Sequence, residues 1–135
     1  MIVIDTSVLF DAVVDGARSS AARAAMSEFE VVSAPDLILY EVANALTRAV
    51  RRKDITADFA RTAHDFAKGL VPTESSASEI SRAFELSIQL VHPFADCVFL
   101  AFAERRGARL ATCDAHFARK LSGTSFSRLL HLIEA

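Results

Sequence analysis

Residues 93–107, PFADCVFLAFAERRG, are apolar almost without interruption until the last turn. Pro93 suits the first position of a helix and Gly107 a C-terminal cap, so the stretch predicts one helix that is apolar on every side. Such a helix belongs in a protein core. A membrane is the other place for it, since 52% of the residues are hydrophobic and the mean hydropathy is +0.29. However, the longest run without Asp, Glu, Lys or Arg extends only from Leu86 to Ala95, about half of the ~20 residues that a spanning helix needs. No bilayer span is expected. The start, MIVID, lacks the basic region and cleavage site of a signal peptide, which implies a cytoplasmic protein.

The rest of the chain alternates strand and helix patterns. IVI opens as a short buried strand with Asp5 at its end. An alanine-rich helix over Ala17–Phe29 and a strand EVVSA ending near Pro35 follow. Pro35 suits the first position of the helix DLILYEVANALTRAVRRK, whose apolar residues Leu37, Val42, Ala45, Leu46, Ala49 and Val50 recur near helical period. A second helix, Ile55 to Lys68, has Thr56 as N-cap and Phe59, Ala63, Phe66 and Ala67 along one side, predicting a helical hairpin stopped by Gly69. LVPT reads as a strand, and Ser76 and Glu79 have the spacing of a capping box for the helix SSASEISRAFELSIQL. ARLAT is a further strand, DAHFARKL a short helix, and the segment with Leu129, Leu130 and Leu132 a final strand. This alternation predicts an α/β fold, a parallel sheet in three layers with helices on both faces, as a single domain over residues 1–135. At 135 residues the chain is long enough for one good core.

Four of the seventeen acids interrupt apolar segments: Asp5 after IVI, Glu41 in LILYEVANAL, Asp96 in HPFADCVFLAFA and Asp114 after RLATC. Taken singly, Asp5 and Asp114 read equally well as helix caps and Asp96 as a first-turn acid facing the helix dipole. Glu41 lies in the second turn of its helix among apolar neighbours, where an uncompensated charge is costly. Their joint placement says more. Asp5 and Asp114 both end strands, and in a parallel sheet those ends share the edge where open α/β sheets bind ligands. Helices after such strands start at the same edge, which brings Asp96 and Glu41 within reach. Four carboxylates gathered there repel one another unless a cation is present, and a hard ion that prefers oxygen, Mg²⁺ or Mn²⁺, resolves the conflict. Phosphodiester hydrolysis is the chemistry such a site suits.

The segments MIVIDTSVLFD, LILYEVANAL, PFADCVFLAFAERRG and RLATCDAHF, in this order and spacing, resemble small PIN-domain proteins, particularly VapC-type toxins of bacterial toxin–antitoxin pairs. The likeness spans nearly the whole chain. It implies that Asp5, Glu41, Asp96 and Asp114 are the metal-site residues of a Mg²⁺- or Mn²⁺-dependent endoribonuclease, with Ser7 and Thr112 as supporting hydroxyls. Asp5, Asp96 and Asp114 would hold the metal, with Glu41 completing the shell or orienting the attacking water. It further implies an RNA substrate, a cognate antitoxin protein that covers the acidic groove, and a homodimer. Ser7 stands where relatives often carry Asn, and Cys97 and Cys113 adjoin acids where small residues are common.

Other features are less specific. Arg48, Arg51, Arg52 and Lys53 end the Glu41 helix either as a solvated, dipole-matched terminus or as RNA contacts, and the same alternatives apply to Arg105, Arg106, Arg119 and Lys120. A net charge of −2 offers no bulk attraction for nucleic acid. Cys97 and Cys113 have no metal or redox spacing and read as small buried hydrophobes. His64, His92, His116 and His131 share no ligand spacing and suggest surface or packing roles, with His116 alone near the acids. The ten phenylalanines read as core or subunit interface. A haloacid-dehalogenase-like phosphatase would need a second Asp at position 7, and a receiver domain an early acidic pair and a late lysine. A catalytically silent RNA- or protein-binding module with the same fold is the alternative of a different class.

Overall fold

Five short strands all pair in parallel in the computed structural model, which describes residues 1–135. The strands are β1 (Ile2–Ile4), β2 (Val32–Pro35), β3 (Thr73–Glu74), β4 (Arg109–Thr112) and β5 (Leu130–Leu132), in the order β3-β2-β1-β4-β5. β1 is central and wholly buried, pairing Val3 with Ser33 on one side and with Leu110 on the other. The chain moves outward from β1 to β3 through α1 (Thr6–Val13), α2 (Ser19–Ser27), α3 (Leu37–Arg51) and α4 (Ala57–Leu70). It then crosses back to β4 through α5 (Ile80–Leu90) and α6 (Phe94–Arg106), and reaches β5 through α7 (Ala115–Leu121). Right-handed crossovers in opposite directions put these two sets of helices on opposite faces, which gives the three expected layers.

The apolar helix lies where its composition requires. Every residue of α6 from Cys97 to Ala103 is buried, with the helix against β1, β2 and β4 on one side and α5 on the other. Its last turn ends at Gly107, in the left-handed region at φ 62°. No single helix is long and apolar enough to cross a membrane; the segment Ala77–Leu90 reaches that composition only together with α6, across a bend of 119°.

Several boundaries differ from the sequence reading. Gly69 lies inside α4, and Pro72 ends the helix by forcing Val71 into the extended region at φ −131°. The same proline shortens the expected LVPT strand to Thr73–Glu74. Pro35 closes β2 rather than opening α3, because the Asp36 amide continues the ladder to the Glu74 carbonyl at 2.8 Å. Phe59 and Phe66 face solvent, and α4 packs through the smaller Ala63 and Ala67. No capping box forms at Ser76: its hydroxyl donates to Asp36 Oδ1 at 2.8 Å, residues 77–79 make a 3-10 turn, and Glu79 turns inward.

Glu79 is 1% exposed, more deeply buried than any of the four acids singled out from the sequence. Its Oε1 accepts from Arg105 and Arg106, each at 3.3 Å. The Arg106 guanidinium lies 3.3 Å from the Phe102 ring centroid and also binds Glu74, so the start of α5 is clamped to the end of α6. Arg106→Ala leaves Glu79 with Arg105 and the Ser78 hydroxyl and is expected to cost about 2–3 kcal/mol, less than for a fully orphaned buried charge. Urea denaturation with an unchanged slope checks this.

Candidate active site

Two acids cap helices at the ends of neighbouring strands. Asp5 follows β1 in extended conformation, donates its amide to the Ala111 carbonyl of β4 at 3.2 Å, and accepts the Val8 amide of α1 on Oδ1 at 3.2 Å. Asp114 follows β4 and accepts the Phe117 amide of α7 on Oδ1 at 3.1 Å. The capping role that each sequence motif suggests is therefore present. It uses one oxygen, Oδ1, of each carboxylate. β1 and β4 also flank the point where the strand order reverses, the ligand-binding crevice of doubly wound sheets.

The other two acids arrive on helices. Glu41, half-buried in the second turn of α3, accepts the Thr6 hydroxyl on Oε1 at 2.7 Å. Asp96, in the first turn of α6, has its Oδ2 2.7 Å from His92 Nε2. Ser7 and Thr112 join the two strand ends. The Ser7 hydroxyl donates to Asp5 Oδ1 at 2.5 Å, accepts the Cys113 amide at 2.9 Å and lies 3.4 Å from Thr112 Oγ1, which accepts the Asp114 amide at 3.0 Å. Thr6 and His92 are the neighbours that sequence reasoning missed. Thr6 adjoins Asp5, and His92 precedes Asp96 by four residues, a helical spacing to an acid that histidine-to-histidine spacing does not reveal. His92 is also closer to the acids than the reading that singled out His116 allowed.

Asp96 ties the group together electrically. Burial pushes the Asp5 carboxyl up to about 6; Ser7, Thr112 and the Val8 amide oppose this, and the charge of Asp96 adds to it. Glu41 is raised by burial and by Asp96 against the Thr6 hydrogen bond. Asp96 itself is raised by burial and by Asp114, against His92 and His116. All four sequence-predicted acids thus feel one another through Asp96. As they stand, no three of these side chains close round one point to ligate an ion. The donor set still suits a hard divalent cation: free anionic oxygens on four converging carboxylates, with mutual repulsion that a cation relieves.

The arginine-rich end of α3 lies away from this edge. Glu41 is near the start of the helix, and Arg51 is ten residues and about 15 Å farther along the axis, toward the opposite edge of the sheet. Arg105 and Arg106 are occupied by Glu79.

A doubly wound α/β domain with carboxylates at the β1/β4 switch point is the class that the fold and site define. The chain belongs to the PIN domain family, whose model matches residues 2–120. It is 31% identical over 123 residues to ribonuclease VapC3 of Pyrobaculum aerophilum, across 88% of this chain and 93% of that one. Solved structures share the fold, among them the following. PAE2754 from Pyrobaculum aerophilum has a TM-score of 0.71 at 19% identity, covering 95% of this chain and 88% of its own. VapC20 of Mycobacterium tuberculosis, a Sarcin–Ricin loop cleaving toxin, has a TM-score of 0.68 at 21% identity, covering 88% and 94%. A toxin–antitoxin complex from Klebsiella pneumoniae has a TM-score of 0.68 at 17% identity, covering 97% and 96%.

Asp5 ionises near 6 in the folded chain and at an ordinary 3.8 when exposed, so between these values the native state holds more protons than the unfolded state. The associated stability is complete below 3.8 and is lost as the pH rises through about 6, a change of about 3 kcal/mol. In EDTA, thermal melts are therefore expected to show a higher midpoint at pH 5 than at pH 7.5. Asp5→Asn keeps the acceptor for Ser7 and Val8, and should raise the midpoint at pH 7.5 by several degrees.

Proposed function

We propose that this chain is a divalent-metal-dependent endoribonuclease that hydrolyses RNA phosphodiester bonds as the toxin of a type II toxin–antitoxin pair. The observation that carries this reading is the placement of Asp5, Glu41, Asp96 and Asp114 along the strand-end edge beside the switch point, in a chain 31% identical to a ribonuclease along 93% of that enzyme. Asp5, Asp96 and Asp114 would hold Mg²⁺ or Mn²⁺ through their free oxygens. A bound ion of this kind polarises a phosphoryl oxygen and makes attacking water more acidic. Glu41, held through one oxygen by Thr6, completes the shell or orients that water with the other. Ser7 and Thr112 keep the Asp5 and Asp114 backbones in register.

The partner in this reading is an antitoxin whose segment covers the acidic edge and sets an arginine among the carboxylates; the likeness to a toxin–antitoxin complex supports it. Homodimerisation belongs to the same proposal, supported by the exposed apolar side chains Ile80, Phe84 and Ile88 on one side of α5. So do a single domain spanning 1–135 and a cytoplasmic site of action.

Purified chain incubated with total cellular RNA is expected to yield discrete products with Mn²⁺ or Mg²⁺ and none with EDTA. The Asp5→Asn, Asp96→Asn double variant should lose at least 100-fold in cleavage rate, on the scale of removing metal-assisted stabilisation. Full cleavage by the double variant would overturn the assignment. Intact RNA in every lane, with no Mn²⁺ binding by calorimetry, would leave the fold as a binding module.

A further inference from the structure

The turn between α5 and α6 is more constrained than a connection of this length requires. Val91, a β-branched residue 79% exposed, sits in the left-handed region at φ 51° and ψ 55°, a conformation such side chains rarely adopt. This turn folds the next residue inward. The His92 amide donates to the Ser87 carbonyl at 3.2 Å, and the Ser87 hydroxyl donates to the His92 carbonyl at 2.6 Å. Pro93 then starts α6. Strain of this kind persists only where the surroundings determine the conformation, and it clusters at functional sites.

The held residue bridges two of the acids. The His92 side chain is 4% exposed, and its ring stacks on Phe117 at 4.6 Å between centroids and 17° between planes. Its Nε2 lies 2.7 Å from Asp96 Oδ2, and the Phe117 amide donates to Asp114 Oδ1. One buried ring therefore touches Asp96 directly and the residue capped by Asp114. His116 stacks more distantly at 6.3 Å and is exposed.

We infer that His92 is a positioning residue for divalent-cation binding: its Nε2–H fixes Asp96 Oδ2, leaving Oδ1 as the oxygen for the cation, while its ring sets the spacing between α6 and the Asp114 cap. This rests on the metal-binding role proposed above for Asp96. Hydrogen-bond partners that orient metal ligands commonly change metal affinity 10- to 100-fold when removed.

Three variants separate the donor from the ring. His92→Gln keeps an N–H donor at the same number of bonds from the backbone, His92→Met has nearly the same shape without the donor, and His92→Phe keeps a ring on Phe117 without the donor. Mn²⁺ affinity of the full chain is measured by calorimetry, with the metal-free melting midpoint and circular dichroism of each variant as controls for folding. His92→Gln is expected to bind within about threefold of the parent, and His92→Met and His92→Phe about tenfold or more weakly. If one donorless variant does not fold, the other decides the comparison with His92→Gln. Parent-like Mn²⁺ affinity in a folded donorless variant overturns the inference, as does a His92→Gln affinity no better than that of His92→Met. Absence of Mn²⁺ binding by the parent overturns the metal reading itself. A parent that binds, an Asp96→Asn variant that does not, and donorless variants that bind like the parent would remove the role of His92 alone.

Discussion

The Ser7 hydroxyl, 2.5 Å from Asp5 Oδ1 and accepting the Cys113 amide at 2.9 Å, is the contact on which the site depends. It joins the end of the central strand to the end of its neighbour just where the strand order reverses. Without it, Asp5 would lose its 2.5 Å donor, and the Cys113 amide at the β4–α7 corner beside Asp114 would lose its acceptor. A hydroxyl suits this position because it donates and accepts at once. The small group of atoms around it sets the separation of two of the four acids, and β1, buried on both faces, keeps that separation from drifting.

The acidic edge conflicts with stability. Asp5, Glu41 and Asp96 are all raised by burial, and each is raised further by another acid of the group, so at neutral pH the ionised site opposes folding of the metal-free chain. The hydroxyls of Thr6 and Ser7 and the ring of His92 offset part of this cost. Residual repulsion is what a cation with free oxygens to bind would relieve, and an α/β core built round the buried stretch Cys97–Ala103 of α6 supplies the stability that tolerates it.

The four acids were legible because a charge stands out against an apolar period, and because strand ends in a parallel sheet share an edge whatever their exact register. His92 was not legible, because its burial depends on Phe117, a residue 25 positions away that the i, i+4 relation to Asp96 does not reveal. Glu79 hid for the opposite reason: it lies in the polar stretch SSASEIS, and only the arrival of Arg105 and Arg106 from α6 makes it a buried pair. On α4 the aromatic residues suggest the wrong face, because close helix approach favours the smaller Ala63 and Ala67. At Gly69 the glycine signal competed with Pro72, and the steric effect of proline on its predecessor was the stronger terminator.

Capping and metal binding are rival explanations of an acid at a strand end, but in this chain the geometry is compatible with both at once. A carboxylate that accepts a backbone amide on Oδ1 loses rotational freedom, and its Oδ2 then points in a direction set by the helix it caps. Asp5 and Asp114 are both held in this way, Glu41 is held by Thr6, and Asp96 by His92, so each acid has one oxygen committed to the fold and one free. That division explains why the sequence could not separate the two readings for any acid taken alone. It also means that the precision of the free oxygens comes from secondary structure, which the hydrophobic core stabilises.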